Sequence, residues 1–370
     1  MGVWQSPLAR VVAPRASFWA DRQVLVTGHT GFKGAWLSLW LTEMGARVHG
    51  FSLDPVDGPT IFDAACVADL LESDTCADLR DKSAVRETVE AVEPEIVLHL
   101  AAQPLVSAGY LLPSETWATN VMGTVHVLEA VRQQPSVRAV VVITTDKVYE
   151  DRGIGASHLE SDRLGGHDPY SSSKAAVELV AASYRQSYWV SGDDADVCVG
   201  TARAGNVIGG GDWGVDRLVP DCLRAFEAGR PSVIRSPDSV RPWQHVLEPL
   251  SGYLVLAECL AGDGGNDYAS AWNFGPDQTS DATVSEVAEM VARAWGDGAE
   301  VLHDAGSGRI HETKTLRLNS DKAGGVLGWS PRWDLAEAVS RTVDWHIGFA
   351  DGEDPRTLCL DHIAEYLGSC

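Results

Sequence analysis

RQVLVTGHTGFKGAWLSLWLTEMG, residues 22–45, is an apolar run, a glycine-spaced turn and a segment with helical periodicity. Strand, glycine turn and helix in that order are the context in which a GxxGxxG spacing binds a dinucleotide. Gly28 allows the tight turn, Gly31 lets the backbone approach a pyrophosphate, and Gly34 permits close packing of helix on sheet. Phe32 and Lys33 complete the turn, so the expected cofactor cradle is Gly28, Gly31, Phe32, Lys33 and Gly34.

The units that follow repeat the pattern. A second strand at 47–53 leads to Asp54, placed to accept from a ribose 2'-hydroxyl and to repel a 2'-phosphate, which favours NAD over NADP; Asp54 equally suits the start of an Asp-Pro turn. After a stretch of low order (55–73) and a short strand, Asp78 and Leu79 are candidates to meet the adenine, with Asp78 alternatively capping a helix at 82–92. EIVLHL (95–100) runs into AAQP, and Leu100, Ala101, Ala102 and Gln103 are expected along the cofactor, because small residues let backbone come close. A helix at 116–133 holds Asn120, a residue that disfavours helix interiors unless it bonds backbone. A fifth strand ends in Thr144, Thr145, Asp146 and Lys147, and a sixth (DVCVGTARA) leads to GNVIGGGDW. Alternating strands and helices give an α/β fold with a doubly wound parallel sheet.

The chemistry gathers at residues 143–174. Tyr170 and Lys174 are four apart and share a helix face. Asp168 and Pro169 read as N-cap and first helical residue, which fixes where Tyr170 points. An ammonium beside a phenol favours the phenolate, so Tyr170 is a candidate general base. Thr144 is expected on the cofactor side.

Composition narrows the partners. A net charge of -23, from 29 basic and 52 acidic residues, opposes nucleic acid and anionic membranes as partners. No run of 18 apolar residues and no signal peptide is evident, so a cytoplasmic protein is expected. The seven cysteines form no CxxC and the eleven histidines no HExxH, so no metal is expected. Beyond about residue 213 the pattern loosens. The expected division is an extension at 1–20, a dinucleotide domain at 21–213 and about 246–274, a smaller substrate lobe at about 214–245 and 275–350, and a tail at 351–370. Arg217 and Arg241 are the expected anion contacts of that lobe, since a guanidinium fork bonds oxyanions in pairs.

HTGFKG (29–34), LGGHDPYSSSKAAVELV (164–180), AGNVIGGGDW (204–213) and RPWQHVLEPLSGYL (241–254) together resemble the nucleotide-sugar dehydratase/epimerase branch of the extended short-chain dehydrogenases, in particular its CDP-glucose 4,6-dehydratases. The likeness spans roughly residues 18–346. It implies tightly held NAD and a redox-neutral sequence on a CDP-hexose, in which C4 is oxidised, water leaves across C5 and C6, and hydride returns to C6. By that resemblance Tyr170 takes the 4-hydroxyl proton, Lys174 lowers the Tyr170 pKa, Thr145 bonds the same hydroxyl and Asp146 protonates the departing 6-hydroxyl. Gln103, Asn206, Arg217 and Arg241 would hold the sugar diphosphate. Lys147 stands where dTDP-glucose relatives carry Glu; it suits either a neutral base for H5 or a charged stabiliser of the enolate. The chain departs from the pattern at Ser107, usually Arg, and at 150–162, where aromatic residues are lost. An epimerase on the same Tyr170 and Lys174 is the nearest alternative, and a non-catalytic NAD-binding scaffold the next. Relatives pair through the helices at 116–133 and 170–189, which implies a homodimer or homotetramer.

Overall fold

The computed structural model describes residues 12–151, 153, 155, 157–189, 197–277, 281–304 and 315–368. Seven parallel strands form the central sheet: β1 (Gln23–Thr27), β2 (Arg47–Ser52), β3 (Ser73–Cys76), β4 (Ile96–His99), β5 (Ala139–Ile143), β6 (Cys198–Ala204) and β7 (Ala271–Phe274). Their spatial order is β7-β6-β5-β4-β1-β2-β3. Chain order reverses between β1 and β4, so a crevice opens outside their carboxyl ends, where such sheets take their ligands. The doubly wound reading is therefore correct.

The strands read as continuous apolar runs because both faces are covered. Val24 and Val26 of β1 join one core and Leu25 the other, as alternation along a strand requires. On the first face lies α1 (Phe32–Glu43), buried from Gly34 through Leu41. A helix apolar all round belongs inside. It is enclosed by the sheet, by α6 (Leu247–Ala261) and by α9 (Pro355–Gly368). The opposite face carries α2 (Lys82–Val92), α3 (Gly123–Val131) and α4 (Pro169–Tyr188).

A separate apolar cluster is built from α5 (Leu218–Glu227), α7 (Val284–Trp295) and α8 (Leu335–Ala350) around Val219, Phe226, Val287, Val291 and Val339. Short ribbons fasten it to the sheet domain. Val207–Ile208 pairs in parallel with Gln244–His245, and Val240–Arg241 antiparallel with Ala282–Thr283.

Several local expectations are corrected. The extension at 1–20, whose composition suggests loose order, is anchored at its described end: Trp19 is fully buried, and its indole N–H donates to Glu258 Oε1 at 2.9 Å. Arg15 Nε donates to the other Glu258 oxygen at 2.7 Å. A buried indole needs both an apolar pocket and an acceptor, and α6 supplies the acceptor. Residues 1–11 of the extension lie outside the described residues, as do parts of the expected 150–162 and 275–350 segments. The stretch expected as a tail holds α9, which buries Cys359, Ile363 and Tyr366. Residues 55–73 contain a short helix, Ile61–Ala64, whose Ile61 and Phe62 are core residues. The helix expected at 116–133 is interrupted by a π-turn at Ala118–Met122, a feature frequent at functional sites.

Candidate active site

Gly28 has φ +78°, and a Cβ there would stand 2.7 Å from Ala101 N; a Cβ on Gly34 would stand 2.1 Å from Gly28 O. Only glycine fits either position. Gly31 is the N-cap of α1 and offers no side-chain cap, so the first-turn N–H groups keep no side-chain acceptor. Unpaired N–H groups at a helix start suit a phosphate. These observations fit a dinucleotide whose pyrophosphate rests on α1.

Asp54 and Asp78 follow β2 and β3. Asp54 is exposed and accepts from Cys76 Sγ at 3.0 Å, whereas Asp78 is held by Arg80 Nη2 at 2.6 Å. The cap of α2 is Asp81, not Asp78. The Leu79 side chain is taken into the core, against the bare Cα of Gly123. Leu100 N and Ala101 N donate to Thr27, which draws β4 close to the glycine turn. Gln103 and Ala102 are half-buried beside them. Gln103 N donates to Asn120 Oδ1 at 2.8 Å, and Asn120 Nδ2 donates to Gln103 O and to Ser173 Oγ. Asn120 thus ties the loop after β4 to α4.

The Asp168 carboxylate accepts from Ser171 N at 2.9 Å, with Pro169 as first helical residue, as expected. Tyr170 is consequently buried, and α4 turns it toward the end of β5. Burial pushes the phenol up to about 12; its hydrogen bond with Thr145 works the other way. The charge that lowers the phenol is Arg217 rather than the expected Lys174. Lys174 Nζ donates to Ile143 O at 3.0 Å, and burial, with Lys33 nearby, lowers it to about 7. Thr145 Oγ1 donates to Asp146 Oδ1 at 2.9 Å. Asp146 is 1% exposed, and its Oδ2 has no protein partner.

Lys147 Nζ lies 3.9 Å from Asp146 Oδ1 with a third of its side chain exposed, so it is not the desolvated lysine of this site. That is Lys33, half-buried and lowered to about 8, chiefly by desolvation and then by Arg217, with Asp146 opposing. Arg217 pairs with Asp212 at 2.9 Å yet stays in electrostatic reach of Lys33 and Tyr170. Arg241 is buried, its Nη1 donating to Val240 O. Asn206 Oδ1 is buried without a partner. Ser107 donates to Asp216 at 3.2 Å.

The Thr144 hydroxyl donates to Glu178 Oε1 at 2.6 Å. Glu178 is the residue the sequence reading missed. It also accepts from Thr201 at 2.6 Å and from Arg203 through both carboxylate oxygens. Arg203 reaches on to the Tyr149 hydroxyl at 2.8 Å, and Tyr149 donates to Asn273 Oδ1 at 2.6 Å. The available signal was position: Glu178 continues the Tyr170, Lys174 series by another four residues. At 157–162, His158 stacks flat on Tyr149 with ring centroids 4.5 Å apart, which returns one flat ring to the altered segment.

Residues 24–270 match the family described as the NAD dependent epimerase/dehydratase family. The chain belongs to that family. It is 48% identical to the CDP-glucose 4,6-dehydratase of Salmonella typhimurium over 95% of this chain and 98% of that one. It is 28% identical to the dTDP-glucose 4,6-dehydratase of Streptomyces antibioticus over 87% and 92%. Among solved structures, the NAD complex of dTDP-glucose 4,6-dehydratase from Bacillus anthracis superposes with a TM-score of 0.73 at 21% identity, covering 90% of this chain and 99% of that one. The NAD complex of UDP-glucose 4-epimerase from Thermus thermophilus gives 0.72 at 25%, over 87% and 97%. Both share the fold described above.

Proposed function

We propose that the protein is an NAD-dependent nucleotide-sugar 4,6-dehydratase acting on CDP-glucose. The observation that carries this is Asp146: a buried carboxyl with one oxygen fixed by Thr145 and the other unpartnered, in electrostatic reach of Tyr170. Oxidation at C4 alone, as in an epimerase, gives that oxygen no task. The near-full-length likeness to the Salmonella enzyme supports the same substrate class.

Tyr170 removes the proton of the 4-hydroxyl, assisted by Thr145. When bound, NAD would supply the acceptor for the C4 hydride and its return to C6. The residues that would hold it are the glycine turn with Lys33, Asp54, Asp78, Leu100 to Gln103 and Lys174. With C4 a ketone, H5 is acidified. Asp146 protonates the 6-hydroxyl as water leaves, and Lys147, 3.9 Å from Asp146 Oδ1, is proposed at C5 as the acceptor of H5. Asn206, Arg241, Arg217 and Gln103 are proposed around the diphosphate, and the lobe of α5, α7 and α8 as its cover.

Tyr110, Leu111, Leu112, Trp117 and Met122, with Leu179 and Tyr188 of α4, leave large apolar side chains exposed. Such a strip supports pairing of two copies through these helices. No helix among the described residues is long and apolar enough to cross a membrane, and the described cysteines are free, in keeping with a cytoplasmic enzyme.

Incubating the protein and NAD with CDP-glucose tests the reading. A 4-keto-6-deoxy product, seen by its near-ultraviolet absorbance in alkali, is expected; an epimer or unchanged sugar would refute it.

A further inference from the structure

Tyr253 lies on α6, which packs on β5 and β6, the strands whose ends deliver Asp146 and Asn206. Its side chain is fully buried, with its ring edge-on to Phe274 at 5.8 Å and Lys33 Nζ 5.9 Å from its centroid. The hydroxyl nevertheless has no hydrogen-bond partner. Leaving a buried hydroxyl unpaired costs about 1–3 kcal/mol, so a phenylalanine would serve the packing better. Asp146 Oδ2 is unpartnered in the same region. The face it presents toward β6 is the bare Cα of Gly205, where a Cβ would stand 3.1 Å away. Tyr253 is in electrostatic reach of Asp146 and Tyr170, and Lys33 is in reach of Asp146. Burial holds the Tyr253 phenol well above its ordinary value, which keeps it a hydrogen-bond donor.

We infer that Tyr253, with Lys33 over its ring, is a positioning residue for Asp146, steadying the Oδ2 edge and taking up the charge left there once the 6-hydroxyl has been protonated. This rests on the dehydratase reading. In that step a proton passes from Asp146 to O6, the C6–O bond breaks and water leaves. The C5–H electron pair closes the C5–C6 double bond, and the C5 proton goes to Lys147 as base. The carboxylate that remains can then accept from the Tyr253 hydroxyl, which has no other partner.

Tyr253→Phe keeps the ring and removes one oxygen. The unliganded variant is expected to melt at the same temperature or higher, because an orphaned polar atom has gone. Oxidation at C4 should keep its rate while dehydration slows roughly 10- to 100-fold, near the low end for loss of one donor. Reduced cofactor then accumulates in a single turnover. Dehydration at the normal rate overturns the inference. So does a lower melting temperature with oxidation and dehydration slowed alike, which marks the hydroxyl as structural. If the unsubstituted protein does not dehydrate CDP-glucose, the functional reading itself fails; if it does and the variant equals it, only this inference fails.

Discussion

At Tyr170, burial and Thr145 act on one phenol in opposite senses, and burial wins: the group sits near 12 while its lysine partner sits near 7. A phenol so placed keeps its proton until positive charge is brought to it. Tyr170→Phe is therefore expected to lower turnover roughly 10²- to 10⁴-fold with substrate affinity retained, which steady-state kinetics and calorimetric binding separate. Asp146→Asn should divide the reaction at another point. Hydride exchange at C4 is expected to continue while dehydration slows; equal loss of both would remove the acid role. Neither Lys33 nor Tyr253 carried a signal toward Asp146 in the sequence. Lys33 reads as part of the cofactor turn and Tyr253 as one more apolar position of a buried helix, and only the packing of α1 and α6 against each other and the sheet brings them near one carboxyl.

Among the elements, α4 does most of the placing. Its cap is Asp168, which accepts from both the backbone and the hydroxyl of Ser171, and Tyr170 follows two residues later. Asp168→Ala is expected to cost about 1 kcal/mol and to lower kcat as the first turn frays, with Asp168→Asn restoring most of both; thermal melts and kinetics on the pair check this. One turn beyond Lys174, Glu178 ties α4 to β6 and to the segment after β5. The capping pattern was legible because all its parts lie within four residues. The Glu178, Arg203, Tyr149 and Asn273 chain was not, since the partners are 25, 54 and 124 residues apart and share no local pattern.

In the whole molecule, the doubly wound order was readable from alternating apolar strands and helical periods, because each unit repeats one rule. The ends were not: Trp19 and α9 look peripheral in a linear reading and are buried only through α6 and α1. This arrangement seals several titratable groups in the interior. Burial lowers His99 to about 3 and His346 and His362 to about 4. These groups stay neutral in the fold while the unfolded chain takes protons below about 6.5. Their contribution is complete above that pH and lost as it falls toward 4, each tenfold difference in proton affinity between fold and unfolded chain being worth about 1.4 kcal/mol. Glu248, raised to about 7 by burial, works in the opposite sense, losing stability as pH rises from its ordinary value to 7. Three histidines outweigh one carboxyl, so the melting temperature is expected to drop as pH falls from 6.5 to 4.5. A flat or rising profile in that window would contradict the burial of these rings.

The most direct measurement follows a label. CDP-glucose carrying deuterium at C4 is incubated with the protein and a catalytic amount of NAD, and the product is read by NMR. The account expects a 4-keto-6-deoxy sugar with the deuterium at C6 and no net consumption of cofactor. Deuterium returned to C4 of an intact hexose would contradict it.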